Sequence, residues 1–468
     1  MTVIMHQPAS QTTGSTMPDQ GSSAYVFLLC AVAALGGLLF GFDTAIINGA
    51  LDYLKIHFHI QAGTFAEGFL VASAIVGCIP GVLISGPLSD RFGRKNVLII
   101  SAILYLISSI GSAIPPSVAV FYLFRFIGGM GVGAASMASP LYIAEVAPAR
   151  VRGTLVALNQ LTIITGILMS YIICFFLKDV HGALQNWQWM LGSAAAPSLF
   201  FLAAMFFLPE SPRWLTEKGR EAQAMAILAR VGGRASAEAQ MVEIKDALDH
   251  DRSDSTSGSV WQLFQPGLRL ALMIGVVLAV LQQITGINTV IYYSTTTFKD
   301  AGMGEGAALL GSVGVGVVNF IMTLIAMALV EKVGRRPLMI YGPLAMGLSL
   351  ALLGLAFKHH WLSAILLFTF TYVAAFAVSI GPVLWVVISE IFPTRIRGRA
   401  MSFSIVALWI ACYLVAFTLP KMFELIGKSG TAWFYAAMCA VMVVFDALFV
   451  PETKGRTLEQ IEKHWTRP

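Results

Sequence analysis

Apolar residues in this chain come in unbroken stretches of about 20, the length that carries a helix through the hydrocarbon core of a bilayer. Twelve such stretches are predicted as membrane-spanning helices, near 24–49, 67–88, 97–113, 116–140, 154–176, 188–208, 269–293, 306–330, 338–357, 362–388, 400–420 and 432–450. Between the sixth and seventh lies a densely charged stretch, 209–268, that cannot sit in lipid and carries a helical pattern around Glu221–Val231. The expected architecture is all-α: a segment 1–22, six spans over 23–208, a helical linker 209–268, six spans over 269–450 and a terminal segment 451–468.

Composition closes off the soluble alternative. Of 468 residues 57% are apolar and 12% charged, against roughly 45–50% and 25% in an ordinary soluble domain. The formal charge of +5 does not point to nucleic acid, because basic excess in a membrane protein collects in loops held on the inner side. Most of the cations fall in the tails and in alternate loops, which predicts a multi-pass inner-membrane protein with both termini cytoplasmic. Residues 1–22 are polar and hold no Lys or Arg; lacking a basic n-region, they read as a disordered cytoplasmic tail rather than a signal peptide. The five cysteines, Cys30, Cys78, Cys174, Cys412 and Cys439, are scattered, with neither disulfide nor metal spacing.

The two halves repeat. SDRFGRK at Ser89–Lys95 answers VEKVGRRP at Val330–Pro337, IAEVAPARVRG at Ile143–Gly153 answers ISEIFPTRIRG at Ile388–Gly398, and PESPR at Pro209–Arg213 answers PETKGR at Pro451–Arg456. Three pairs at nearly one spacing imply a duplicated six-helix unit in parallel orientation, a transporter signature.

Charges and amides inside spans mark candidate chemistry. Asp43 and Arg125 lie deep in the first and fourth spans, where a charge costs at least about 2.5–3.5 kcal/mol. They read as a proton carrier with its guanidinium competitor, or as a static pair pinning two helices. All eight histidines fall in the tail or predicted loops, which leaves Asp43 as the leading proton site; Asp446, near the end of the last span, is expected to snorkel or pair at the interface. Gln282, Gln283 and Asn288 spread over a broad polar sector of the seventh span, with Tyr292 and Tyr293 beyond. Carboxamides both donate and accept and bind no cation, which suits neutral sugar hydroxyls; interhelical glue is the other reading. GGMGVG in the fourth span lacks a following Lys-Ser or Lys-Thr and reads as close helix packing, not a phosphate loop. No cofactor, metal or obligatory protein partner is expected, and no nucleophile motif suggests an enzyme.

Together with QQITGINTVIYYS at Gln282–Ser294, PESPRWL at Pro209 and PETKGRTLEQIE at Pro451, these loops resemble the sugar porter family of the major facilitator superfamily over roughly Gly36 to Glu462. The resemblance implies two six-helix bundles around a cavity open alternately to each side, with short cytoplasmic helices beneath. It implies further sugar ligands at Gln160, Asn319 and Trp385. It also implies symport, because similar symporters carry Asp at the position of Asp43 where facilitative carriers are typically uncharged. A uniporter with an idle Asp43, or a non-transporting sensor, are the rival readings. Asp90, Arg91, Arg94, Glu145, Arg152, Glu331, Arg335, Glu390 and Arg397, on duplicated loops, are expected to form an interdomain latch that holds the inner gate shut; Tyr292 and Tyr293 complete the gating set. The chain departs from the family in the eleventh span, where Leu408 and Cys412 stand in place of frequent amides, leaving the identity of the sugar open.

Overall fold

The computed structural model describes residues 21–148, 151–180, 182, 184–253, 268–392 and 397–454. The segment 1–20 and most of 451–468, named above as tails, lie outside the described residues. The first half runs α1 (Ser23–His57), α2 (Phe65–Phe92), α3 (Arg94–Ala113), α4 (Val118–Val146), α5 (Arg152–Leu177), α6 (Asn186–Gly192) and α7 (Ala195–Phe207). Three short helices follow: α8 (Pro212–Glu217), α9 (Glu221–Gly232) and α10 (Arg234–Ser253). The second half comprises α11 (Leu268–Ile284), α12 (Ile287–Asp300), α13 (Glu305–Val333), α14 (Arg335–Lys358), α15 (Leu362–Val378), α16 (Ile380–Ile391) and α17 (Arg397–Phe449).

Among the described residues eleven apolar helical stretches are long enough to cross a membrane. The last contains two crossings, because Gly427 at φ 69°, ψ 172° interrupts α17; twelve spans result. Side-chain caps start several of them where sequence punctuation suggests: Ser22, Thr64 and Ser117 accept from backbone N–H groups of the first turns of α1, α2 and α4.

Three spans expected to be continuous are broken, at 193–194, at 285–286 and at Ser379. Gly286 takes φ 90°, open to glycine at little cost. Broken backbone at membrane depth must find partners inside the protein, and the helices beside the second and third breaks are tied to each other there. Tyr372 of α15 donates to the Thr285 carbonyl at 3.0 Å, and the Gln282 amide donates to the Ile380 carbonyl at 3.2 Å. The seventh span therefore reaches Asp300, beyond the expected end at 293.

Within the first half α1 packs on α5, and α2 and α3 on α4; in the second α11 and α14 pack on α17, and α13 on α15. The halves meet along two related seams, α2 against α17 and α5 against α13. The helices α8–α10 enclose a small apolar core around Trp214, Leu228 and Met241 and attach to the end of the bundle that carries the duplicated basic loops. There Trp214 donates to the Asp90 carbonyl and the Ser22 N–H to the Arg230 carbonyl, both at 3.0 Å.

Candidate functional site

Asp43 and Arg125 meet. Arg125 Nη1 donates to Asp43 Oδ1 at 2.6 Å, with the residues 9% and 3% exposed. A cavity of about 10 Å³ adjoins the pair, walled by Asp43, Cys78 and Arg125 from the first half and by Tyr292 and Trp409 from the second. The acid and its guanidinium thus sit where the halves touch.

The amides of the seventh span form one chain. Gln282 donates to Ile380 O, Gln283 Nε2 to Gln282 Oε1 at 3.2 Å, Asn288 Nδ2 to Gln283 Oε1 at 2.5 Å, and Asn288 Nδ2 also faces Cys412 Sγ at 3.1 Å. Amides that satisfy one another in the closed site can exchange those bonds for hydroxyls of a ligand at little net cost. Gln282 has a structural duty as well, since one of its donors holds the break before α16. Gln160 and Trp385 are half-buried. Asn319 is 2% exposed, and its Oδ1 accepts no hydrogen bond among the described residues. No described hydrogen bond joins these three to the amide chain. Cys412 occupies the place of the missing amide and serves Asn288 as a soft acceptor, with Tyr292 Oη 3.9 Å from the same sulfur. Tyr293 donates to the Ala416 carbonyl at 3.3 Å.

At the basic end the duplicated loops fold the same way twice. Gly93 and Gly334, at φ 94° and φ 102°, turn the chain into α3 and α14. Arg94 Nη2 then reaches Glu145 at 2.9 Å, and Arg335 Nη2 reaches Glu390 at 3.0 Å. Asp90 stays largely solvated, 3.7 Å from Arg94. Arg91 lies 5.2 Å from the Phe92 ring, and Arg152 faces the Ala147 carbonyl at 3.4 Å; the side chains of Glu331 and Arg397 lie outside the described residues. Each described ion pair of the duplicated loops joins residues of a single half, so in this conformation they brace the halves internally; the latch between the halves is expected of the outward-facing state. A cation one residue into a helix and an acid at the end of the helix beside it are close neighbours, which is why the pairing is local.

Two residues in the PESPR and PETKGR repeats carry a role that charge patterning alone did not single out. Glu210 accepts from the N–H groups of Arg94 and Lys95, and Glu452 from those of Arg335 and Arg336, each capping the first turn of its helix. Burial holds the Glu210 carboxyl above its ordinary range despite those amides. At the less buried Glu452 burial pushes the same way, but the backbone amides outweigh it and hold the carboxyl below. The repeated Pro-Glu at matching positions was the available signal.

The opposite end carries the bonds between the halves. Asn48 donates to Ser294 at 2.8 Å and accepts from the Thr295 N–H at 3.0 Å; Tyr171 donates to the Ile291 carbonyl at 2.8 Å; Asp52 pairs with Lys299 at 3.2 Å; Tyr53 bonds Glu305. Every described hydrogen bond between the halves lies at this end, which is therefore shut. Asn48 was visible as an amide inside the first span. Asp52 and Lys299 were not, because loop charges read as topology.

Asp446 departs from expectation. It is 0% exposed, and neither carboxyl oxygen has a partner among the described residues. It continues the stripe of Cys439 and Met442, both 0% exposed, so the helical period turns it inward instead of letting it snorkel. Replacing an unpartnered buried acid by a similar-sized apolar side chain removes a desolvation cost. Asp446→Leu is expected to stabilise the protein by about 1–3 kcal/mol, read as a higher unfolding midpoint in detergent; a lower midpoint would reveal a partner the geometry does not show.

Comparison with known proteins agrees with this arrangement. The family model described as "Sugar (and other) transporter" matches residues 29–465. The D-xylose-proton symporter of Escherichia coli strain K12 is 41% identical, over 96% of this chain and 97% of its own. The arabinose-proton symporter of Bacillus subtilis strain 168 is 39% identical, over 95% and 96%. Among solved structures, the major facilitator superfamily proton:xylose symporter bound to 6-bromo-6-deoxy-D-glucose superposes with a TM-score of 0.82 at 40% identity, covering 95% of this chain and 99% of that one. A partially occluded inward-open conformation of the E. coli xylose transporter gives 0.82 at 39% identity, covering 93% and 100%.

Proposed function

This chain belongs to the sugar transporter family, and from that premise we propose that it carries a monosaccharide, a pentose or hexose, together with a proton across the membrane by alternating access. It is a multi-pass membrane transporter and not an enzyme. The observation that carries the coupling reading is the buried Asp43–Arg125 pair at the seam of the halves, in a chain similar throughout its length to D-xylose-proton and arabinose-proton symporters.

The geometry supports the following cycle. We place the basic end in the cytoplasm of a bacterial inner membrane, as the positive-inside rule requires; the shut end then faces outward and the conformation is an inward-facing one. Asp43 is paired with Arg125 here, as a carrier that has released its proton inside should be. On the outward-facing side a proton on Asp43 discharges the pair and frees Arg125. Sugar then exchanges its hydroxyls into the amide chain of Gln282, Gln283 and Asn288, with Gln160, Asn319 and Trp385 as further ligands. Tyr292 and Tyr293 close over it as the Asn48 and Asp52 contacts form, and the capped, ion-paired loops let each half move as one body. The proton's charge adds about 2.3 kcal/mol per 100 mV of membrane potential to the driving force.

Uptake of a panel of pentoses and hexoses into proteoliposomes, with and without an inward proton gradient, tests this. Wild type is expected to concentrate its sugar only with the gradient. Asp43→Asn is expected to exchange labelled sugar without concentrating it. Equilibration without accumulation by wild type would make the protein a uniporter, and undiminished accumulation by Asp43→Asn would remove Asp43 from coupling.

A further inference from the structure

We propose that Asp446, in the second crossing of α17, is a second proton-binding site: the second half alone holds this proton, keeps it through the transport cycle, and is loosened at its basic end when the proton is lost. The site is independent of Asp43.

The Asp446 side chain is sealed from solvent, and both its carboxyl oxygens lack a hydrogen-bond partner among the described residues. An ionised carboxylate in such a place carries the full cost of leaving water with nothing to offset it, and a carboxyl so placed takes up a proton instead. The duplication shows that packing does not call for an acid here. Cys439, Met442 and Asp446 form the buried stripe of α17 toward the basic end, and beside them Arg336 Nη2 donates to the Ala447 carbonyl at 2.7 Å. The first half repeats both features: Ser198, Phe201 and Met205 are the buried stripe of α7, and Lys95 Nζ donates to the Phe206 carbonyl at 3.1 Å. Asp446 thus stands where the copy has Met205, and both are fully buried.

Charged groups occupy this end of the elements packed around Asp446, and none of the described ones is bonded to it. On α14 Arg335 pairs with Glu390 of α16, and Arg336 serves the Ala447 carbonyl. After α17 Glu452 caps α14, and Lys454 Nζ donates to the Lys332 carbonyl. On α11 the cation at this end is Arg269, which is exposed. All of these groups belong to the second half, and a half that rocks as one body brings neither a new counter-charge nor water to Asp446. Its proton therefore stays while the proton on Asp43 turns over. Asp446 lies one turn from Val450, whose N–H bonds its carbonyl at 3.2 Å, so an ionised carboxylate reaches water or Arg336 only by parting α17 from α14 at the basic end. In the unfolded chain an exposed aspartate has lost its proton above about pH 5. The folded protein then binds one proton more than the unfolded chain, and stability falls as pH rises, by up to about tenfold in the unfolding equilibrium per pH unit, until the site empties.

Asp446→Asn keeps the shape of the side chain and cannot ionise, and Asp446→Met installs the residue of the copy; the second also serves if the first does not fold. The infrared difference spectrum of wild type minus either variant, taken on the full-length protein in detergent at neutral pH, is expected to show the carbonyl band of a protonated carboxyl. The unfolding midpoint, followed from about pH 6 to about pH 9, is expected to fall more steeply for wild type than for either variant, so that Asp446→Met gains most on wild type at the alkaline end. In proteoliposomes the proton-to-sugar ratio of both variants is expected to equal that of wild type. A missing carboxyl band, or midpoints that run parallel with pH, overturns the proposal and makes Asp446 an ionised group with a partner. A lower ratio in the variants also overturns it, because the proton would then be transported. Asp43→Asn, measured beside them, must retain the infrared band and the slope; whether it accumulates sugar bears on the reading of Asp43 alone.

Discussion

Gly68→Val is expected to reduce net sugar transport by about a hundredfold or more while sugar still binds from the outer side. Gly68 lies near the start of α2, where the first half meets α17. A Cβ there would overlap the Phe417 carbonyl oxygen and stand 2.8 Å from its carbon. Both are backbone atoms and cannot swing aside as a side chain would. The surrounding contact is tight, with Phe65 stacked on Phe417 at 5.0 Å and Tyr413 on the other side at 5.4 Å. Any larger residue must separate α2 from α17, and at this end separating them means opening the shut end, which faces outward in the proposed orientation. A carrier that rocks has a state in which these helices are already apart, so the substitution moves the population into that state and holds it there. Uptake by the purified variant checks the loss, and equilibrium binding of the transported sugar checks that the protein remains folded. Turnover above about a tenth of wild type would mean that the seam does not open.

The second large effect concerns stability. Arg125→Leu is expected to destabilise the protein by about 3–5 kcal/mol, because it leaves the Asp43 carboxylate buried without its counter-charge. The double variant Asp43→Asn with Arg125→Leu removes both charges and is expected to recover most of that loss, since breaking a buried pair costs far more than removing it. Unfolding in detergent, run as a double-mutant cycle, measures the coupling. Equal losses in the single and double variants would show that Arg125 acts by packing alone, and the argument for Asp43 as a group held by its guanidinium would go with it.

Much of the architecture was legible because lipid constrains a sequence more simply than water does. A span must be apolar for about 20 residues, so twelve crossings and the charged linker can be read directly. A charge inside a span is costly enough that Asp43 and Arg125 stand out from their neighbours by residue type alone. The duplicated loops were equally visible, yet their partners were not. Sequence pairs Arg94 with Arg335 by analogy, whereas space pairs each with the acid of its own half, Glu145 and Glu390. Asp446 shows the same limit, since distance from the end of a span says how deep a residue lies and nothing about which way it faces.

The sequence by itself determined how many times the chain crosses, that its halves are copies, and which polar groups are too expensive to be idle, because each of these follows from the local cost of placing a residue in hydrocarbon. Only the tertiary structure decided that side chains of α15 and α11 bond the backbone beside the breaks before Gly286 and Ile380. Only it showed that Asn48 and Asp52 close the far end, and that an indole from one half shares a cavity with the acid of the other. Those facts depend on which helices become neighbours, and contacts between residues hundreds of positions apart leave no trace in the hydropathy of either segment.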